Sequence, residues 1–199
     1  MKNRSYNIGS QLIDTEYACF IDLDCIIHPR QVETARDSAK ANSNIGTIQP
    51  YNGTALYLKT KAKKAFTDSH CSYDSLQFTL PSGQPLYTNY SNEDFLVGNT
   101  QAPGGCFMCR MDTFRAFNGF NPNFKGWGYE DNEFLKRLHI LGYDVCKLAG
   151  KSQVLWHLPH EGVDQSNKAD HPHYDDNRDI CSFIVSCTKD ELEGYIKTW

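Results

Sequence analysis

No run in the 199-residue chain approaches the roughly 20 consecutive apolar residues that span a bilayer, and the opening MKNRSYNIGS lacks the apolar segment of a secretory signal. These absences predict a protein without a transmembrane segment, placed in the cytoplasm or peripherally at a membrane. An excess of one charge is missing too. With 20 basic against 24 acidic side chains, the formal net charge is only -4, and the basic residues are dispersed. That leaves no electrostatic footprint for gripping a phosphate backbone and argues against nucleic acid as a partner. Cysteine is too sparse for a disulfide scaffold, at eight residues in a chain of this length. Cys106 and Cys109 form the one C-x-x-C pair. A structural zinc would need a second close Cys or His pair, and a redox site would need the pair to open a helix. Cys19, Cys25, Cys146, Cys181 and Cys187 lie in or beside apolar strand-like runs and read as small core residues. No internal repeat or low-complexity tract is present.

What is there describes one globular domain. Hydrophobic residues make up 40% of the chain, enough for a core at this size without staples or metal. YACFIDLD, residues 17–24, reads as a buried strand ending in two acids. Pro29 can open a helix that RQVETARDSAK carries to about Lys40. Residues 45–49 and 55–59 predict two strands joined as a hairpin around Asn52 and Gly53. The stretch 65–103 reads as irregular loops with one short strand near 76–80. A strand over 105–110 precedes a short helix over 113–118, capped by Asp112 and stopped by Gly119. A turn-rich NPNFKGWGYED leads into a helix through NEFLKRLHILG, closed by Gly142, with Glu130, Asp131 and Glu133 in its first turn. YDVCKL and QVLWHL, residues 143–148 and 153–158, predict a strand pair. Residues 158–199 form a tail with a short strand at 180–185 and a terminal helix. The alternation of strands and helices gives an α/β class.

Three places carry chemistry. A strand alternates faces with period two, so Asp22 and Asp24 are expected on one side at its carboxyl end, where open α/β sheets bind ligands. Two such carboxylates call for a cation, and a divalent metal with a polyphosphate answers this; a solvated strand end is the plain alternative. His157 follows the apolar QVLW, with His160, His171 and His173 further on, and imidazole beside carboxylates suits manganese, iron or zinc better than magnesium or calcium. Gly126-Trp127-Gly128 sets a large aromatic between glycines, a platform for an apolar sugar face or base. Glu130 and Asp131 beside it can take a proton from a hydroxyl, or serve only as helix-start acids. Gly104 and Gly105 would let backbone approach a ligand closely.

The order D-L-D, then GGCFMCRMDTFRAFNGFNPNFKGWGYEDNEFLKRLHILGYDV, then LWH resembles the nucleotide-sugar glycosyltransferases of the GT-A fold. The central block is similar to the galactosyltransferase carboxyl-terminal module shared by the beta-1,4-galactosyltransferases, the polypeptide N-acetylgalactosaminyltransferases and bacterial chondroitin polymerase. The resemblance covers residues 17–157. It implies a mixed sheet flanked by helices and an inverting transfer from a UDP-sugar, of galactose, N-acetylgalactosamine or a related sugar, to a glycan hydroxyl in surface or capsular polysaccharide synthesis. It also implies a manganese cofactor, with magnesium as substitute, held by Asp22, Asp24 and His157. Gly104, Gly105, Trp127, Gly128 and Glu130 would bind substrate together with Asp22, and Asp131 and Glu130 would be the catalytic carboxylates, both binding acceptor and Asp131 acting as the base. Tyr129 stands where the galactosyltransferases often carry glycine, and Asn132 and Glu133 where they continue with acids. Only 16 residues precede Tyr17, so the resemblance further implies that the N-terminal nucleotide-binding half is lacking and that another chain or segment covers the sheet. Two alternatives keep the same residues: an inactive sugar- or nucleotide-binding relative, and a metal-dependent hydrolase using the later histidines.

Overall fold

A computed structural model describes residues 2–68, 76–79, 85–88, 95–99, 101–151, 153–158 and 171–199. The fold is mixed α/β, as the alternation predicts, and its strands divide between two four-stranded sheets and one two-stranded ribbon. The first sheet contains β1 (Tyr17–Ile21), β8 (Cys106–Arg110), β3 (Ile45–Gln49) and β9 (Asp144–Lys147), in that order. The second contains β2 (Cys25–Ile26), β10 (Leu155–His157), β4 (Ala55–Leu58) and β7 (Phe95–Asn99). β3 with β9 and β10 with β4 are parallel pairs, and the other neighbours are antiparallel. The ribbon pairs β5 (Leu76–Thr79) with β6 (Pro85–Thr88).

Period-two alternation along β8 sorts its side chains between layers. Phe107 and Cys109 enter the larger core, whereas Met108 joins Ala35, Ala39, Ile45, Ile48 and Leu148 on the opposite face. The second face is covered by α2 (Pro29–Ala41), whose small Ala35 and Ala39 permit close approach to the sheet. Pro29 stands at the start of this helix, and the His28 ring accepts a hydrogen bond from Arg30 N, supplying the cap. The first face holds an aromatic cluster against α4 (Met111–Ala116) and α5 (Glu130–Ile140). Phe120 stacks on Phe134 at 4.2 Å and Phe20 on Phe114 at 4.7 Å. Each buried Phe contributes about 1.5–3 kcal/mol relative to exposure, with about 0.5–1.5 kcal/mol more from a favourable ring pair. The C-x-x-C pair is thereby split: Cys109 donates to Thr47 Oγ1, and Cys106 lies 3.4 Å from Cys19 Sγ.

Several expectations give way. The segment expected as one strand over 17–24 stops at Ile21, and Asp22 to Cys25 form a turn closed by Cys25 N donating to Asp22 O at 2.9 Å. The two acids therefore do not share one strand face. β3 and β4 do not form a hairpin, nor do β9 and β10 pair with each other. Each pair is divided between the two sheets, because distant parallel partners outcompete the sequence neighbour. The strand expected at 180–185 belongs to α6 (Tyr174–Ser186). There Cys181 and Ile184 turn inward while Phe183 and Val185 face solvent, a helical rather than alternating burial. α7 (Lys189–Ile196) closes the chain with a capping box between Thr188 and Glu191. α3 (Thr60–Asp68) and, before β1, α1 (Lys2–Ser10) complete the helices.

Candidate functional site

α1 was not expected, since KNRSYNIGS is polar and carries a glycine, and its position explains it. Asn3 Nδ2 donates to Asn121 O at 2.8 Å, and Asn7 both donates to Phe120 O at 2.7 Å and accepts from Phe120 N at 2.8 Å. These bonds tie the helix across the loop after α4 and deliver Lys2 and Tyr6 to the acids of the cleft. Lys2 Nζ lies 2.9 Å from Asp131, 3.4 Å from Asp22 and 3.5 Å from Glu130. Burial alone would depress the Lys2 ammonium, but Asp131, Asp22 and Glu130 together override it and raise its affinity for the proton. Tyr6 donates to Asp22 Oδ1 at 2.6 Å, and burial followed by that bond pushes its hydroxyl up.

Asp131 sits in the first turn of α5 with a side chain only 16% exposed. Burial pushes its carboxyl up to about 6; Lys2 opposes the shift, and Glu130 and Asp22 reinforce it. A Cβ on Gly104 would stand 1.7 Å from Asp131 Oδ2, so only glycine lets this loop lie against the carboxylate. The loop is propped from below. The buried Tyr51 hydroxyl donates to the carbonyls of Gly104 and Ala102, and Gln49 Nε2 donates to Pro103 O at 3.0 Å. Gly105 has φ +87 and packs against Leu155 and Cys25. Glu130 Oε2 accepts from Gly128 N at 2.8 Å, which holds the G-W-G turn in place. The Trp127 ring lies 4.5 Å from that of His171, tilted by 34°, and stacks on Tyr174 at 5.7 Å.

At the other end of the cleft, Asp24 Oδ2 lies 3.4 Å from His157 Nε2. Strand pairing sets this up. His157 faces Cys25 across the antiparallel β2–β10 pair and Tyr57 across the parallel β10–β4 pair, with the Tyr57 and His157 rings 4.5 Å apart. Asp24, Cys25 and His157 each present a ligand atom within 4.8 Å of the others. The cleft is one cavity of about 450 Å³ reaching from Asp24 and His157 past Gly104 and Gly105 to Trp127 and Asp131.

The residues predicted for transfer and metal binding all line this cavity, with assignments redistributed, whereas His171 and His173 do not line it. Asp22, expected with the metal ligands, gives its oxygens to Tyr6 and Lys2 and lies outside the three-donor group. Cys25 takes the third place in that group and was read from the sequence as a core thiol. Its signal was position alone, one residue after the second acid. His171 is engaged by Trp127, and His173 precedes α6 with its ring 3.5 Å from Asp176. Neither joins Asp24, so a hydrolase built on them loses its extra ligands; His160 lies outside the described residues. Glu133 is no site acid. It is fully buried and paired with Arg137 at 2.6 Å.

A cleft on an α/β scaffold with a metal-donor group at one end and a buried carboxylate beside an aromatic at the other defines the class. Comparison with known proteins gives partial likenesses. Residues 84–161 match the family model described as "N-terminal domain of galactosyltransferase". Human beta-1,4-galactosyltransferase 6 is 37% identical over 57 residues, 29% of this chain and 15% of that protein. Beta-1,4-galactosyltransferase 7 of Drosophila melanogaster is 29% identical over 82 residues, 37% of this chain and 23% of that protein. The crystal structure of the catalytic domain of Drosophila beta1,4galactosyltransferase 7 in complex with xylobiose aligns at 16% identity and a TM-score of 0.43. That alignment covers 94% of this chain and 62% of that one. Residues 84–161 are thus similar to part of a galactosyltransferase, and the chain spans less than two thirds of the length of these relatives.

Proposed function

We propose that this module transfers a sugar from a nucleotide-sugar donor to a glycan hydroxyl with inversion at the anomeric carbon, in the synthesis of a surface polysaccharide. The observation that carries the reading is the single cavity joining the Asp24–His157 pair to Asp131. The donor set fits a divalent transition ion, because a carboxylate oxygen and an imidazole nitrogen 3.4 Å apart can both reach one centre through bonds of about 2.0–2.2 Å. Asp24 and His157 would hold such an ion, manganese in this reading, which when bound would supply positive charge to offset that of a leaving nucleoside diphosphate.

The rest is work for the chain itself. Gly105, at positive φ and packed against Leu155 and Cys25, borders the cavity with bare backbone beside the pair, where the donor sugar would lie. Trp127, held against His171 and Tyr174, lines the cavity as an aromatic wall for the acceptor ring. Asp131 removes the acceptor hydroxyl proton as the oxygen attacks the anomeric carbon. Lys2 on its Oδ1 and the bare Gly104 backbone against its Oδ2 hold the carboxylate in one orientation. Glu130 steadies the Trp127 turn through Gly128 N.

Transfer assayed over a panel of uridine diphosphate sugars with manganese tests the reading. Asp24→Ala should lose the metal-stimulated turnover. Its circular dichroism should be unchanged, because a 32% exposed side chain in a turn contributes little to the core. Full metal-stimulated activity in that variant would remove Asp24 as a ligand, and donor binding without transfer in the natural chain would leave a sugar-binding relative.

A further inference from the structure

We infer that Cys25 is a metal ligand through its sulfur, so that the centre is an Asp24–Cys25–His157 site of mixed oxygen, sulfur and nitrogen donors. The inference rests on the metal reading above and goes beyond it in the third donor and in the ion it selects.

The geometry is specific. Cys25 Sγ stands 3.6 Å from Asp24 Oδ1, and the three ligand atoms lie within 4.8 Å of one another. Tetrahedral ligands at about 2.0–2.3 Å from one ion stand about 3.3–3.8 Å apart, so closure needs roughly 1 Å of side-chain movement. Cys25 and His157 are directly opposed in register on β2 and β10, which directs both side chains to one face of the second sheet. Asp24 immediately precedes that strand. The thiol has little freedom to turn elsewhere, because Gly105 and Leu155 pack beside it; a Cβ on Gly105 would lie 3.2 Å from its sulfur. Cys25 is partly accessible and lines the cavity, unlike the fully buried Cys106 and Cys109.

As the sulfur–metal bond forms, the thiol proton leaves to solvent and the sulfur lone pair goes to the ion, with no change in oxidation state. A thiolate moves the preference from hard, oxygen-seeking magnesium and manganese toward zinc and cobalt. The site would therefore hold zinc or cobalt against an excess of manganese.

Cobalt(II) added to the full chain tests this, because a thiolate ligand produces a near-ultraviolet sulfur-to-cobalt charge-transfer band that carboxylate and imidazole do not. The expected result is that band in the natural chain and its loss in Cys25→Ser. The same variant should lose zinc affinity by at least about 10-fold, the lower end of what even an outer-sphere change costs, while manganese affinity moves only a few-fold. Zinc should also protect Cys25 from alkylation, read at that residue by mass spectrometry. Cobalt binding without the band, or a band that survives in Cys25→Ser, overturns the sulfur ligand and leaves the Asp24–His157 pair standing. Cobalt binding that is absent, or indifferent to both Asp24→Asn and His157→Ala, overturns the metal reading as well.

Discussion

Asp131→Asn should cost about 10²–10⁴-fold in turnover while leaving donor affinity nearly unchanged, the range expected when a positioned general base is removed. Asparagine keeps the shape that fits against Gly104 and removes only the capacity to accept the proton. The pH profile gives an independent reading. A base must be ionised to act, and the Asp131 carboxyl is pushed up to about 6, chiefly by burial. The acid limb of kcat/KM should fall as pH drops through about 6, and it should vanish in the variant's residual activity. Stability runs the other way. A carboxyl raised above its unfolded value of 3.8 favours the fold while protonated, and that contribution is lost as pH rises through about 6. The asparagine variant also loses the Lys2–Asp131 ion pair, so its thermal midpoint is read beside its turnover, and only activity lost from a folded chain counts for the base. Turnover within a few-fold of the natural chain would remove Asp131 as the base.

Arg137→Ala should destabilise the module by about 3–5 kcal/mol, the usual cost of stripping one partner from a buried ion pair. Arg137 and Glu133 have no solvent exposure, and the guanidinium also donates to the carbonyls of Phe117 at 2.8 Å and Gly119 at 2.7 Å. It lies 5.5–5.8 Å from the ring centres of Phe117, Phe134 and Trp199. Losing it strands a carboxylate whose affinity for the proton burial already raises. At about 2–4 °C per kcal/mol for a domain of this size, the Tm should fall by roughly 10 °C. Glu133→Leu combined with Arg137→Met should recover most of the loss, because an apolar pair of similar volume removes both desolvation costs. A loss below about 1 kcal/mol for the single change would refute this role.

Residues 17–157 disclosed the parts of the site but not how the parts divide the labour. The D-L-D acids, the G-W-G turn and His157 were legible because each combines an unusual local pattern with a strand or helix end. Asp22 and Asp24 are expected on one strand face only if period two extends past Ile21, where the chain actually turns. The partition of β3 from β4 and of β9 from β10 was hidden, since it depends on parallel partners far along the chain. α1 could not be recognised because its stabilisation comes from Asn3 and Asn7 bonding to a loop more than a hundred residues away. Lys2 and Tyr6, the side chains that hold the cleft acids, were missed with it. The apolar stretch in α6 misled because six neighbouring residues do not distinguish a buried strand from a helix.

Among the described residues, water reaches most ion pairs and is shut out of Glu133–Arg137. Arg36–Asp37, Lys64–Asp68 and Arg178–Asp175 stand well exposed, where a Debye length of about 8 Å at physiological ionic strength weakens them. Glu133–Arg137 has no ionic atmosphere around it to thicken. Sodium chloride should therefore leave the midpoint of thermal denaturation nearly in place, because the pair that matters most to the core lies beyond the reach of dissolved ions.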